Sequence, residues 1–282
     1  TDGGTTWCQE IVGTSGNEID HIQKVYFTPD GSHLIVLKNR DIFIGSINSN
    51  CNNCTCTSWQ EITNSTLTSN PLHLHSGAIW RDLEFVPGDV NANNHFFIAS
   101  SHSELYAPTA GGVFEVTKTG STWNINSIIT MGSANNTLGA DYCLRAELSI
   151  PDATNLFAVF VDPYKLIARY ELSTGQWFVV KSNPNFDLDW IKAEFVVSPE
   201  KVQAIQNGPF NYNMYAGGKN IWQSYDGGQI FNDLGNYWGP NTHADVRSIS
   251  LQIATPSLLG LNDRVLFATD GGVALKPVGN DH

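Results

Sequence analysis

Charge is scarce in this sequence. Of its 282 residues only 15% are Asp, Glu, Lys or Arg, and only six are arginine. The 15 Lys+Arg stand against 27 Asp+Glu, a formal net charge of −12. A chain so short of cations cannot neutralise a long run of phosphates, so a nucleic-acid backbone is excluded as its main partner. No apolar run approaches the ~18 residues of a membrane-spanning helix. Methionine occurs twice, and helical periodicity is almost missing, which sets aside coiled coils and helical repeats. No nucleophile elbow, phosphate-binding loop or dinucleotide glycine pattern occurs. The expectation is therefore no cofactor, no resident metal and no membrane span.

What the chain does contain is β-structure punctuation. It has 25 Gly, 12 Pro, 14 Phe, nine Tyr and eight Trp. Short runs of Val, Ile, Phe and Tyr alternate with Gly, Asn, Asp and Pro turns from end to end, the pattern of an all-β fold. Five segments share one plan, a polar or basic residue leading an apolar strand that ends in proline. They start at Gln23, Arg81, Arg145, Lys192 and Arg247. Their prolines, Pro29, Pro87, Pro151, Pro199 and Pro256, stand 58, 64, 48 and 57 residues apart. Each is followed by a second strand, at His33–Leu37, His95–Ala99, Leu156–Val161, Asn213–Ala216 and Arg264–Ala268. A third strand then leads to a turn and an aromatic: Trp59, Trp123, Trp177 and Phe231.

A four-stranded unit repeated at this length is the signature of a β-propeller. Five blades fill residues 1–282 as one domain. The last unit stops after its third strand, near Gly272–Leu275, and the segment Thr1–Ile11 reads as the outer strand that completes it. A β-sandwich, or part of a six- or seven-bladed ring, is the alternative.

Five cysteines are present: Cys8, Cys51, Cys54, Cys56 and Cys143. Three crowd into Cys51-Asn-Asn-Cys54-Thr-Cys56, a spacing able to offer thiolates to zinc. No nearby histidine completes a zinc set, and a Ser/Asn/Thr-rich loop with disulfides in an oxidising compartment fits better. An odd count leaves one thiol over. Sequons at Asn53, Asn64 and Asn135, with the low lysine content, point the same way. The expected location is extracellular or at the cell surface.

Two turns carry a more specific resemblance. Thr1-Asp2-Gly3-Gly4-Thr5-Thr6-Trp7 and Ser224-Tyr225-Asp226-Gly227-Gly228-Gln229-Ile230-Phe231 resemble the Asp-box, or BNR, repeat. In such a turn the aspartate accepts backbone N–H groups, glycine supplies positive φ, and the aromatic anchors the outer strand. His243-Ala-Asp245-Val-Arg247, followed by Asp270-Gly271-Gly272-Val273, is similar to a segment of bacterial sialidase-like, xyloglucanase-like and sortilin-like propellers. The resemblance implies a peripheral, structural role for Asp2, Gly4, Trp7, Asp226, Gly228 and Phe231. The arginine-led start of true sialidases is absent. Asp-box propellers include hydrolases, receptors and adhesins, so the resemblance implies fold more than function.

In a propeller the innermost strands line a central channel, and the loops entering them form one rim. Four of the five entry residues, Arg81, Arg145, Lys192 and Arg247, are cationic. Around them lie Trp80, Trp190, His243, Asp189 and Asp245. Clustered cations suit an anionic ligand such as a carboxylate or sulfate, and Trp80 and Trp190 offer flat faces for sugar stacking. The plainer alternative pairs these cations with Asp82, Glu84, Glu147 and Glu194. Asp245 and Asp189, on different blades, are the candidates for two-carboxylate glycoside hydrolysis. The leading expectation is a non-catalytic module of a larger secreted or surface protein, with a glycan or protein partner at the rim. A glycoside hydrolase is the first alternative, and a structural subunit of a surface filament or secretion machine the second.

Overall fold

The computed structural model describes residues 12, 22–38, 41–47, 57–62, 78–102, 112–130, 138, 143–163, 165–186, 188, 193–201, 212–234, 246–252, 264–269 and 271–277. Among them, regular structure is strand apart from one 3-10 turn at Ala92–Asn94. The first blade is β1 (Ile22–Phe27), β2 (His33–Lys38), β3 (Asp41–Ile47) and β4 (Thr57–Glu61). The second is β5 (Ala78–Glu84), β6 (His95–His102), β7 (Gly112–Thr119) and β8 (Thr122–Thr130). The third is β9 (Cys143–Ser149), β10 (Asn155–Pro163), β11 (Leu166–Glu171) and β12 (Gln176–Ser182). The fourth is β13 (Glu194–Lys201), β14 (Tyr212–Gly217), β15 (Ile221–Ser224) and β16 (Asn232–Asp233). The fifth holds β17 (Val246–Gln252), β18 (Arg264–Thr269) and β19 (Gly272–Pro277). Every sheet is an antiparallel meander in chain order, so the fold is a five-bladed β-propeller. The segment read as the closing strand, Thr1–Ile11, lies outside the described residues, as do Cys8, Cys51, Cys54 and Cys56.

Position within the blade explains the residue pattern. Middle strands are covered on both faces by neighbouring blades, so they read as mainly apolar runs. Strand β14 is buried at every residue, whereas the outer β12 alternates between exposed and half-buried. Side chains from adjacent blades meet in apolar layers. Ile35, Leu37 and Ile42 of the first blade pack with Leu83, Phe96 and Phe114 of the second. Val113 of the second meets Ala146, Leu148 and Phe160 of the third. Phe157 and Ile167 of the third meet Phe195 and Met214 of the fourth, and Tyr215 of the fourth meets Val265 and Phe267 of the fifth.

The recurrent aromatics sit where the outer strands begin. Trp123 is 4% exposed and Phe231 2%. Trp177 packs on Tyr170, with ring centroids 5.0 Å apart, and Phe231 meets Phe186 edge-on at 4.8 Å. The indole N–H groups of Trp59, Trp123 and Trp177 have no acceptor among the described residues. Each such orphan costs about 1–3 kcal/mol. Burying an indole removes roughly 150–250 Å² from water, about 4–6 kcal/mol at ~25 cal/mol per Å². Burial outweighs the orphaned donor.

Inner strands start at one end of the channel and finish at the other, where the first hairpin of each blade turns back. These far turns carry their own caps. Asp30 accepts hydrogen bonds from the Ser32 N–H at 2.9 Å and from the hydroxyls of Ser32 and Thr28 at 2.7 and 2.8 Å. The backbone N–H and hydroxyl of Ser32, with Thr28, hold its carboxyl well below the usual carboxylate range. Asp152 does the same for Thr154 and Asn155. Two caps also reach the next blade: Asn93 donates to Asp30 at 2.5 Å, and the Tyr212 hydroxyl donates to Asp152.

The Ser224–Phe231 turn joins β15 to β16 and lies at this far end too. Asp226 Oδ1 accepts the N–H groups of Gln229 and Ile230 at 2.9 and 3.0 Å, and the Ser224 hydroxyl accepts the Gly228 N–H at 2.9 Å. Gly228 has φ 92°, where a Cβ would also stand 2.9 Å from Met214 Sδ. Glycine is required there on both counts.

Candidate functional site

The five inner strands wall a cavity of ≈ 550 Å³ whose lining reaches the entry residues Gln23, Arg81, Arg145 and Arg247. Its lining includes Gln23, Lys24 and Tyr26 of β1, Arg81, Asp82 and Glu84 of β5, Arg145 of β9, Glu194 and Val196 of β13, and Arg247, Ser248 and Ser250 of β17.

Three inner strands reach this cavity through the same local irregularity. In β1 the pairing steps from Ile22↔Lys38 to Lys24↔Leu37, which makes Gln23 the inserted residue of the register shift. In β5 it steps from Trp80↔Ser100 to Asp82↔Ala99, omitting Arg81. In β17 it steps from Val246↔Thr269 to Ser248↔Ala268, omitting Arg247. A β-bulge inserts one residue, breaks the in/out alternation and re-aims a side chain. Here it lets two consecutive residues, such as Arg81 and Asp82, both line the channel.

Below the rim the charges interlock. Lys24 Nζ lies 2.9 Å from Asp82 Oδ1, 3.4 Å from Glu147 Oε2 and 3.7 Å from Glu194 Oε2. Arg145 donates through Nε to Glu147, and its guanidinium lies 3.7 Å from Glu194. Arg145 Nη2 also donates to the Ala193 carbonyl at 2.6 Å. Asp82 accepts from the Tyr26 hydroxyl at 2.7 Å and from the Leu148 N–H at 2.7 Å.

Burial pushes the Asp82 carboxyl up, but Lys24, the Leu148 N–H and Tyr26 outweigh it and hold it below the usual range. Burial works against the Lys24 ammonium, yet Asp82, Glu147, Tyr26 and Glu194 together raise its pKa. Burial also pushes Glu147 up against the pull of Arg145 and Lys24. Glu194 has the weaker share of the cations. Burial, then the Glu147 charge, moves it up to about 8, so it holds its proton at pH 7. Glu84 is raised by burial and by Asp82.

The sequence-derived residues fall into three groups. Arg81, Arg145 and Arg247 come together in the cavity. Trp80 does not. It is 4% exposed, packed edge-on against Phe114 at 5.6 Å in the layer between the first two blades. It is therefore a core residue with no face for a sugar, because the bulge after it turns Arg81, not Trp80, to the channel. Asp189, Trp190, Lys192, His243 and Asp245 lie outside the described residues, as do Asp2, Gly4 and Trp7. The Cys143 side chain does as well. Asp226, Gly228 and Phe231 sit at the end of the blades remote from the rim.

Lys24 escaped the sequence reading. The repeat placed Gln23 at the entry, and strict alternation then hides its neighbour. The available signal was that Lys24 takes the place in its strand that Asp82 takes in the next, so opposite charges recur at one repeat position. No group of three or more His, Cys, Asp or Glu residues is arranged to hold a metal among the described residues. No helix among them is long and apolar enough to cross a membrane.

No protein-family model and no curated protein sequence matches the chain. Solved structures show a distant likeness. A protein from Bacteroides fragilis proposed to be a 6-phosphogluconolactonase aligns at 17% identity with a TM-score of 0.43, over 80% of this chain and 58% of its own. A luciferin-regenerating enzyme aligns at 12% identity and 0.49, over 90% of this chain and 77% of its own. The allergen Mala s 1 of Malassezia sympodialis aligns at 8% identity and 0.45, over 91% and 90%. The chain thus spans 58% of the length of the Bacteroides fragilis protein. None of these likenesses bears on activity.

Proposed function

We propose that the chain is a non-catalytic propeller module that binds a glycan or protein partner at the channel mouth, as part of a larger secreted or surface protein. The state of the channel carboxylates carries this reading. Two-carboxylate glycoside hydrolysis needs an acid, together with a second carboxylate free to attack the sugar or a water. Glu194, moved up to about 8, is a suitable acid. No ionised carboxylate free to act as that partner stands among the described residues, since Glu84, which also lines the cavity, is pushed well up by burial and by Asp82. Asp82 has both oxygens engaged by Lys24, Tyr26 and Leu148, and Glu147 is 1% exposed between Arg145 and Lys24. Beside them the cavity stays open at ≈ 550 Å³, within the ~300–1,000 Å³ of small-ligand sites. An open cavity whose ionised carboxylates are already satisfied suits binding better than bond cleavage.

The cysteine cluster, the sequons and the low lysine content support an extracellular setting. The Ser224–Phe231 turn supports kinship with Asp-box propellers, since its hydrogen bonds are those such a turn requires. The test is a panel of neutral and acidic polysaccharides, assayed for binding and for release of reducing ends. Saturable binding without release is expected. Reducing-end release that disappears in Glu194→Gln or Asp245→Ala would establish a glycoside hydrolase instead.

A further inference from the structure

Among the described residues, Arg81 departs from the ion pairing that fills the channel. Arg145 and Arg169 each face a carboxylate. Of the five N–H donors of the Arg81 guanidinium, Nε donates to the Ser101 hydroxyl at 2.9 Å and Nη1 to Gln23 Oε1 at 2.7 Å. Both acceptors are neutral. Among the described residues no carboxylate stands within ion-pair distance of Arg81, and Nη2 has no acceptor. The side chain is half-buried and its bulge turns it into the cavity. Burial and the nearby Arg145 charge lower its pKa against the pull of Glu147, so its cationic form is held there with no carboxylate in contact among the described residues. A partly desolvated guanidinium of this kind gains most from an anion that completes its donor set.

The surroundings narrow the class of anion. Arg247 lines the same cavity from β17, and Ser248 and Ser250 add exposed hydroxyls. The planar Arg81 fork matches a carboxylate through paired N–H groups. Resting on the channel mouth as the binding site, we propose that this cavity takes the carboxylate of an acidic sugar, anchored by Arg81. The Ser248 and Ser250 hydroxyls meet the sugar ring.

Glu194 then tunes the site. From β1 it faces Lys24, from β5 Asp82, and from β9 Arg145 and Glu147. At pH 7 it is protonated. Above about pH 8 it ionises and adds a negative charge to the cavity, which disfavours an anion.

Calorimetric titration of the whole chain with digalacturonate, and with neutral galactobiose as control, tests this. Digalacturonate is expected to bind at least tenfold tighter than galactobiose at pH 6.5. Its affinity should fall tenfold or more in Arg81→Gln, with an unchanged thermal midpoint. Arg81→Lys keeps the charge, loses the fork and is expected to bind at intermediate strength. Between pH 6.5 and 9 the affinity should fall severalfold in the parent and stay flat in Glu194→Gln. Equal binding of the two sugars, or digalacturonate binding indifferent to both Arg81 substitutions, overturns the anion site. If galactobiose still binds and the cavity-filling Ser248→Trp blocks it, the channel-mouth reading survives that loss. If neither sugar nor any polysaccharide of the panel binds the parent chain, both fail.

Discussion

At the scale of single residues, Lys24 is the keystone of the channel. Its ammonium lies within 3.7 Å of three carboxylates from three other strands. Removing one partner of a buried charge cluster leaves the rest uncompensated, at a cost of about 3–5 kcal/mol. Lys24→Met is expected to lower stability by that amount in urea denaturation at pH 7. The double variant Lys24→Met/Asp82→Asn should recover part of it, because the carboxylate that Lys24 helps to hold ionised is then neutral. The pairing itself was partly legible, since Arg145 and Glu147 stand two apart on one strand face and Glu194 recurs at the equivalent place. Lys24 and Trp80 were not. Both depend on a one-residue offset that sequence alternation does not record. Asp226 makes a smaller case. Asp226→Ala removes the acceptor of two backbone N–H groups at a half-exposed turn remote from the rim. About 1 kcal/mol of stability should be lost, with ligand binding unchanged in the same titration.

Elements show why the repeat could be read at all. A strand that is covered on both faces is mostly apolar, so β2, β6, β10 and β18 stood out as runs of Val, Ile, Leu, Phe and Ala, and β14 as Tyr, Met and Ala around Asn213. The prolines just past β1, β5 and β9 marked the turns of the first three blades, whereas Pro199 lies within β13 and Pro256 lies outside the described residues, and the aromatics marked the outer strands. Pairing between blades left a weaker trace. At the junction of β14 and β17 the chain relies on Gly217, where a Cβ would fall 2.5 Å from Val246 Cγ1. The Val246 N–H donates to the Gly218 carbonyl at 2.8 Å in the same place. A glycine pair in the sequence signals a turn equally well, so this close approach was visible only in three dimensions. Gly217→Ala is expected to force the fourth and fifth blades apart and cost about 1–3 kcal/mol. Gly31→Ala meets no neighbouring atom, and its φ of 71° is the only penalty. Thermal unfolding of the two variants separates interblade crowding from backbone strain.

For the whole molecule, buried titration sets the pH at which the fold is most stable. Glu194 rises from 4.5 to about 8 on folding. Below about pH 4.5 both folded and unfolded chains hold this proton. Above that the unfolded chain releases it and the folded chain does not, so stability falls until about pH 8 and then levels. His95, held between Glu115 at 2.9 Å and Asp89 at 2.7 Å, has its pKa raised by those carboxylates. Its contribution is full below about pH 6.5 and is lost as the pH climbs through the raised value. Asp82, Asp89 and Asp152 are held low and contribute above about pH 3.9, losing that contribution in acid. The urea midpoint should therefore peak at about pH 4–5 and decline towards about pH 8. Glu194→Gln should shrink the alkaline decline and leave the acid limb in place. An acidic limb alone, with no fall above neutrality, would show that Glu194 is ionised in the folded chain.

The bulges at Gln23, Arg81 and Arg247 bear on how such a molecule changes over generations of sequence. In an ordinary strand each position is committed to core or channel, and exchanging a residue disturbs one or the other. The extra residue of a bulge is released from that parity. It can pass between glutamine and arginine, as it has among these three blades, while the apolar layers and the Lys24 cluster keep their register. Specificity at the rim can thus diverge from blade to blade without renegotiating the fold, and recognition can evolve faster than the ring that carries it.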